Sequence, residues 1–155
     1  MNDAKYMQMA IDIARVGMSK GGSPFGCCIV KGDKVVACEH NVVLQTLDST
    51  AHAEVTALRV ACKNLQSIDL AGCTLYSTTE PCPMCFSAIH WANVDKIIFG
   101  AGIEDAMSAG FRELTISNEQ MKSLGGSKLL IVRGVMAEEN RRLFAEFTAK
   151  GGRTY

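Results

Sequence analysis

The sequence predicts an α/β protein, one domain with a mixed five-stranded sheet flanked by helices on both faces. At 155 residues the chain can bury a substantial core but is too short for two independent ones. Segments rich in β-branched residues alternate with helical segments, which favours parallel strands joined by crossover helices. The first two such segments are separated only by Lys31-Gly32-Asp33, a composition typical of a tight turn, so an antiparallel hairpin belongs to the same sheet.

The elements before the first motif are a helix and this hairpin. Apolar residues recur at spacings of three and four over residues 4–18, which predicts an amphipathic helix. Gly21 and Gly22 are expected to end it. The hairpin strands are predicted over residues 26–30 and 34–38.

The remaining elements alternate between helix and strand. Residues 52–63 are rich in Ala, Glu, Leu and Arg and predict a helix. Pro83 suits the first turn of another helix, which runs to about Trp91. The other predicted strands are 73–78, 96–99 and 128–132, and the other predicted helices are 104–109, 117–123 and 136–149.

Charge and hydropathy disfavour two classes of partner. The chain has 16 basic and 16 acidic residues, whereas proteins that neutralise phosphates usually carry a basic surplus. Nucleic acid is therefore not the expected partner. No apolar run approaches the ~20 residues that cross a bilayer, so no membrane insertion is expected. Residues 1–10 lack the pattern of a secretory signal, and a cytoplasmic location is predicted.

The cysteines point to a metal site. Their number, seven, is odd, and in a reducing compartment a metal or catalytic role is favoured over a disulfide framework. Cys82 and Cys85 are three apart and share one face of a helix. The other five are expected to be small buried apolar residues; they are Cys27, Cys28, Cys38, Cys62 and Cys73.

Two motifs carry the chemistry: His52-Ala53-Glu54 and Pro81-Cys82-Pro83-Met84-Cys85. One imidazole and two thiolates suit tetrahedral zinc, with the fourth position free for water. A helix N-terminus favours the thiolate form of both sulfurs. Zinc lowers the pKa of water towards about 7, and Glu54, two residues after His52, is predicted to carry the protons. This pair of motifs is the signature of zinc deaminases.

The alternative for these residues is a structural zinc site. Such sites are usually closed by four protein ligands, and only three stand at motif spacing here. Cys62 or Cys73 is the candidate for a fourth ligand in that case. His40 and His90 have no partner at ligand spacing and are expected to pack in the core or lie at the surface.

At these motifs the sequence resembles the cytidine deaminase-like superfamily, and the likeness continues through nearly the whole chain. Within it, the flanking residues look most like the bacterial guanine deaminases. The flanks are Gly22 to Gly26 with Pro24-Phe25-Gly26, Glu80 to Cys85 continuing through Ala88-Ile89-His90-Trp91, and Ala106 to Phe111. The resemblance implies the three-layer α/β/α fold of that superfamily and one Zn²⁺ per chain.

The resemblance also implies a substrate site. Asn41, eleven residues before His52, would hydrogen-bond a purine, while Phe25 and Trp91 would pack on its ring. Without the resemblance, Asn41 would be interpreted as a turn residue, and Phe25 and Trp91 as residues of the hydrophobic core. The other implied substrate contacts are Ala53, Glu113 and Tyr155. The segment 136–155 would reach the active site of a partner chain in a homodimer.

Three positions depart from the guanine deaminase pattern. Phe111-Arg112-Glu113 stands where Phe-Asp-Asp is usual, so the acidic group survives as Glu113, one methylene longer. Asp48-Ser49-Thr50 replaces Asp-Pro-Thr. The segment 151–155 keeps Tyr155 but lacks the acidic residue before it. These departures leave the reaction class unchanged and bear on which base is preferred.

The sequence therefore predicts a zinc-dependent aminohydrolase acting on a small purine-like base, with guanine giving xanthine and ammonia as the leading reaction. One alternative is deamination of adenosine in tRNA, which requires a basic approach surface. The candidates for such a surface are Arg141, Arg142, Lys150 and Arg153, although such a cluster is usually a solvated helix side. The alternative from another class is a zinc-stabilised binding module without catalysis.

Overall fold

The computed structural model describes residues 2–155. Its strands are β1 (Gly26–Lys31), β2 (Lys34–His40), β3 (Cys73–Thr79), β4 (Lys96–Ala101) and β5 (Leu130–Arg133). Its helices are α1 (Asp3–Ser19), α2 (Val43–Thr46), α3 (Ala53–Leu65), α4 (Pro83–Trp91), α5 (Ile103–Ser108), α6 (Asn118–Gly125) and α7 (Ala137–Ala149). The predicted α/β class is confirmed.

The five strands form one mixed sheet in the order β2-β1-β3-β4-β5. Strand β1 is antiparallel to both β2 and β3, and the β1–β2 turn contains Gly32 with φ +59°. Strands β3, β4 and β5 are parallel, which requires crossover connections. Helix α4 makes the first crossover, and α5 with α6 makes the second.

Helices cover both faces of the sheet, so two hydrophobic cores form. Because successive side chains of a strand point to opposite faces, Cys27 and Ile29 of β1 join one core and Cys28 and Val30 the other. The first core lies under α3 and α4, and the second under α1 and α7. The spare cysteines follow the prediction: Cys27, Cys28 and Cys73 are fully buried, and Cys38 and Cys62 are half-buried at the margins.

The ends of most elements match the predictions within two residues. Strand β5 begins at Leu130, two residues later than predicted, and is mostly exposed because it forms the edge of the sheet. Helix α2 was not predicted, since a single turn of four residues is too short for a periodic pattern. Within residues 2–155, no helix has both the length and the apolar character needed to cross a membrane.

Candidate functional site

The two motifs meet at the N-termini of α3 and α4. His52 is the N-cap of α3 and Cys82 the N-cap of α4, and both have extended backbones. Neither side chain caps its own helix, so both are free to face another group. Cys85 follows in the first turn of α4, and all three side chains lie beside the carboxyl end of β3. That end of a parallel strand is the usual position of a functional site in α/β proteins.

The three side chains form a group of metal-ligand size. Their ligand atoms all lie within 4.8 Å of one another. The Nδ1 atom of His52 is 3.6 Å from Sγ of Cys82 and 3.5 Å from Sγ of Cys85. Zinc bonds of about 2.05 Å to nitrogen and 2.3 Å to sulfur at a tetrahedral angle place these atoms about 3.6 Å apart. The residues therefore fit a zinc ion without rearrangement.

The surroundings of Cys82 favour its thiolate, the form of cysteine that binds a metal. Hydrogen bonds from the thiol of Cys85 and the imidazole of His52 lower the pKa of Cys82 to about 4. The pKa of Cys85 is raised, because its thiol proton is held by Cys82 and the group is buried. Burial opposes a charged His52, yet the contact with Cys82 and the nearby carboxyls raise its pKa. One negative charge already faces the metal position, and a cation would release the remaining proton.

The ligand group has three members, not four. Among residues 2–155, His52, Cys82 and Cys85 alone make up the group that could hold a metal. Cys62 and Cys73, the candidates for a fourth ligand, are not in it. Cys73 begins β3, whereas the metal group lies past the other end of that strand. Neither Cys62 nor Cys73 can therefore supply a fourth ligand in this structure, and a tetrahedral ion held by the three residues would keep one position for water.

Glu54 stands beside this group without belonging to it. Its Oε2 atom is 3.5 Å from Sγ of Cys85, and its Oε1 atom is 2.9 Å from the hydroxyl of Ser77. Burial raises the pKa of Glu54, opposed by the charge of His52. A buried carboxyl that is not a ligand, with a raised pKa, suits proton transfer near neutral pH.

A cavity of about 360 Å³ opens onto the metal group and Glu54. Four of the substrate residues expected from the resemblance line it, namely Phe25, Asn41, Glu113 and Tyr155. They come from distant parts of the sequence: the loop before β1, the loop after β2, the loop between α5 and α6, and the segment after α7. The tertiary fold brings all four to one cavity.

Asn41 and Tyr155 hold each other in this cavity. The Nδ2 atom of Asn41 donates to the Tyr155 hydroxyl at 2.9 Å, and its Oδ1 atom accepts from the backbone N–H of Val43 at 3.0 Å. Ser23 also lies 3.1 Å from the Tyr155 hydroxyl. Asn41 is 1% exposed and keeps one N–H and one lone pair for a further partner. It can thus pair with both a donor and an acceptor.

Aromatic side chains form the other wall. Phe25 packs edge-on against Phe111, with 5.0 Å between ring centroids, and Phe111 packs edge-on against Tyr155 at 5.5 Å. Phe111 is buried and lines the cavity. Edge-to-face contacts of this kind fix ring orientations, so the apolar wall is rigid enough to receive a flat ring.

Glu113 is the second carboxyl of the cavity. Burial and the nearby negative charges of Cys82 and Glu54 raise its pKa to about 7. It can therefore be neutral or charged near physiological pH and can either donate or accept. Together with Asn41 it gives the cavity two groups that can hydrogen-bond to both donors and acceptors.

Two expected substrate residues lie elsewhere. Trp91, at the end of α4, is 85% exposed and outside the cavity of its own chain. Ala53 is fully buried in the core under α3. The segment expected to enter a partner chain folds back onto its own chain, where the backbone N–H of Arg112 donates to the Tyr155 carbonyl at 3.0 Å. His40 is half-buried, and His90 is exposed and contacts Ser127.

Several cavity residues were not assigned from the sequence. Phe111 lay within a quoted motif, and the Gly110-Phe111 pair was the available signal. Glu80 lines the cavity just after the carboxyl end of β3, and Ser77 on β3 contacts Glu54 without lining the cavity. Ser49, Met84 and Leu114 come from loops or helix starts that approach only through the fold.

Comparison with known proteins agrees with this geometry. The family model for the cytidine and deoxycytidylate deaminase zinc-binding region matches residues 1–101. The guanine deaminase of Bacillus subtilis (strain 168) is 43% identical over 120 residues, 77% of this chain and 77% of that protein. The tRNA-specific adenosine deaminase of the same organism is 34% identical over 145 residues, 94% of this chain and 88% of that protein.

Solved structures show the same likeness. The structure of a guanine deaminase from Nitrosomonas europaea superposes with a TM-score of 0.85 at 27% identity. The match covers 94% of this chain and 84% of that one. The likeness therefore covers most of the chain and is not confined to the motifs.

Proposed function

Because the chain belongs to the zinc-binding family of cytidine and deoxycytidylate deaminases, we propose that this zinc-dependent aminohydrolase converts free guanine and water to xanthine and ammonia. The observation that carries the proposal is the meeting of Asn41, Glu113 and the metal group in one cavity. Guanine presents both donors and acceptors along its edges, and an amide with a carboxyl can pair with both. Similarity to guanine deaminases supports the choice.

The cavity separates the tasks of the reaction. His52, Cys82 and Cys85 would hold a zinc ion, which would supply a water molecule with a pKa lowered towards about 7. Glu54 accepts a proton from the attacking water and passes it to a ring nitrogen; it then takes the proton of the newly attached hydroxyl and passes it to the departing amine, so that a ring carbonyl forms and ammonia leaves. Phe25 and Phe111 support the ring, while Asn41 and Glu113 orient it so that the amino-bearing carbon faces Glu54.

A panel of substrates tests this proposal. Ammonia release is measured with guanine, related amino-heterocycles, nucleosides and a tRNA anticodon stem-loop. We expect turnover of free guanine and little turnover of the stem-loop. Turnover of the stem-loop without turnover of any free base would contradict the choice of substrate.

Deamination of tRNA adenosine is the second candidate, since similarity to tRNA-specific adenosine deaminases extends over 145 residues. Arg141, Arg142, Lys150 and Arg153 are all exposed on or after α7, so a local basic surface exists. Against it stands the formal net charge of zero. The segment ending in Tyr155 also packs against the cavity wall, which favours a small substrate.

Substitution of Glu54 by Gln separates an enzyme from a zinc-stabilised binding module. The amide keeps the shape of the side chain but cannot carry a proton. We expect a fall in kcat by orders of magnitude, with one zinc per chain retained. Zinc content is measured by atomic absorption and turnover by ammonia release; an unchanged kcat would exclude Glu54 as the proton carrier.

Two further features complete the proposal. We propose a homodimer, because Trp91 is a large apolar side chain with 85% exposure and a second chain could cover it. Contact of Trp91, or of the segment 136–155, with the partner's substrate would require this assembly.

The seven free cysteines suit a reducing compartment, in keeping with a cytoplasmic location.

A further inference from the structure

The loop between α5 and α6 carries one wall of the cavity. Phe111, Arg112, Glu113 and Leu114 all line the cavity from this loop. Over residues 111–117 it has no helix or strand. Its internal backbone hydrogen bonds are short-range, from Glu113 to Phe111 and from Ile116 to Leu114. Apart from these, the backbone N–H of Arg112 donates to the Tyr155 carbonyl at 3.0 Å, so the position of this wall relative to the metal group depends on that bond and on contacts at the ends of the loop.

Glu80 contacts both helices that flank this loop. It lies between β3 and Cys82 and is 8% exposed. Its Oε1 atom accepts from the backbone N–H of Asn118 at 3.0 Å, and its Oε2 atom accepts from the backbone N–H of Ile103 at 3.4 Å. These N–H groups belong to the first residues of α6 and α5. Helix N-termini stabilise a carboxylate, and charge-assisted hydrogen bonds are the stronger kind.

Asn118 returns a bond in the opposite direction. Its Nδ2 atom donates to the carbonyl of Pro81 at 2.6 Å, and the side chain is fully buried. Pro81 directly precedes the metal ligand Cys82. Two reciprocal hydrogen bonds thus join the segment Glu80-Pro81 to the start of α6. The metal group and the loop that carries Glu113 share this one junction.

We propose that Glu80 and Asn118 are positioning residues that set the distance between the metal group and the substrate-binding wall at Phe111 and Glu113. Binding to a wall that is already in place costs less conformational entropy than binding to a mobile one. Loss of the junction therefore weakens substrate binding while Glu54 and the metal ligands stay in place. The kinetic part of this inference rests on the proposed guanine deaminase activity; the placement of the loop does not.

The test compares Glu80→Gln and Asn118→Ala with the control Glu119→Gln. In Glu80→Gln an amide N–H₂ group can face the N–H of Ile103, so one bond is replaced by a contact between donors. Asn118→Ala removes the bond to Pro81 and keeps the backbone N–H that donates to Glu80. Glu119 is the exposed neighbour of Asn118 on α6. The substitution Glu119→Gln therefore removes a charge without changing a contact of the junction.

The rate of trypsin cleavage measures how firmly the loop is held, because Arg112 is exposed within it. Cleavage after Arg112 is followed by mass spectrometry, with cleavage after the exposed Lys20 as internal reference. We expect both junction variants to be cut after Arg112 about tenfold faster than the wild type and the control. With guanine, we expect KM to rise about tenfold while kcat changes less than about threefold and zinc stays at one per chain.

Two outcomes would overturn the proposal. The first is that, in both junction variants, the rate of cleavage after Arg112 and the KM equal those of the Glu119→Gln control. The second is parallel loss of zinc, kcat and thermal stability in both variants, which would make the junction a general structural support. If the wild type does not deaminate guanine, the substrate assignment fails, and trypsin cleavage still decides the role of the junction.

Discussion

Ser77 shows how one side chain outside the motifs can control the proton carrier. It is 2% exposed on β3, and its hydroxyl lies 2.9 Å from Oε1 of Glu54 and 2.6 Å from the carbonyl of Thr79. A hydroxyl can donate one hydrogen bond and accept others. Ser77 can therefore hold Glu54 in place both when that carboxyl is charged and when it is protonated.

Substitution of Ser77 by Ala is expected to lower kcat with little change in KM. A hydrogen bond to a charged group is worth about 1.5–3 kcal/mol, which corresponds to a factor of roughly 10 to 100 in rate. Steady-state ammonia release measures both parameters. Thr74→Ser, at the opposite end of β3, is the matched control, and equal kcat values in the two variants would contradict this role for Ser77.

Glu113 makes a prediction about pH. Its pKa is raised from 4.5 to about 7, first by burial and then by the charges of Cys82 and Glu54. Folding of the zinc-free protein therefore takes up a proton between these two values. The stability of the wild type relative to Glu113→Gln is expected to fall as pH rises from 4.5 to about 7 and to level off above it.

Bound zinc is expected to narrow the pH range over which this difference in stability changes. A cation held by Cys82 offsets the negative charge that raises the pKa of Glu113, so the pKa falls. Urea unfolding of both proteins between pH 4.5 and 8, with and without a chelator, measures the difference. A difference in stability that does not change with pH in the zinc-free protein would show that Glu113 titrates normally.

Among the helices and strands, α3 and α4 carry the residues that would bind the metal. Their N-caps, His52 and Cys82, face each other across the metal position. Sequence periodicity predicted both helices, but it could not show that their N-termini converge. Convergence follows from the sheet, because α4 leaves the carboxyl end of β3 while α3 packs on β1 and β2.

Removal of zinc is expected to loosen this pair of helices. A ligand that binds only the folded state stabilises it by about 4 kcal/mol at 1,000 times its Kd, so a chelator should lower the melting temperature by several degrees. Differential scanning calorimetry measures the shift. In His52→Ala the chelator should have little effect, and an equal shift in that variant would place the responsive metal elsewhere.

At the scale of the whole molecule, the segment after α7 decides whether one chain builds a complete cavity. It reverses at Gly151, with φ +67°, and returns to place Tyr155 beside Asn41. Tyr155 thus reaches the cavity of its own chain. Exchange of the segment between the chains of a homodimer stays a prediction from the resemblance.

Mixing of two inactive variants tests this arrangement. One is Glu54→Gln, and the other lacks residues 154 and 155, which removes the contacts of Tyr155 with Asn41 and Ser23. If each chain uses its own segment, the mixture should be no more active than its parts. If chains exchange the segment, mixed dimers carry one complete site, and refolding the two variants together would restore up to about a quarter of the activity at random pairing.

The sequence predicted the residues of the metal group more completely than it predicted the residues of the cavity. Residues whose role depends on local spacing, such as His52, Cys82 and Cys85, were identified from the sequence and form one group in the structure. Trp91 was expected at the substrate and lies outside its own cavity, because a position near a motif does not determine the direction of a side chain. Glu80 belonged to a flank that resembles the guanine deaminases, but nothing in the sequence predicted the contacts of Glu80 or Ser77, whose partners are 20 or more residues away.

The sequence by itself determined the reaction chemistry and the class of fold. Helix and strand periods are local properties, and ligand spacing within one helical turn is local as well. Only the tertiary structure decided which distant groups share the cavity. Asn41 and Tyr155 are 114 residues apart, and Glu80 and Asn118 are 38 apart. Contacts over such separations depend on strand order and helix packing, which no local pattern encodes.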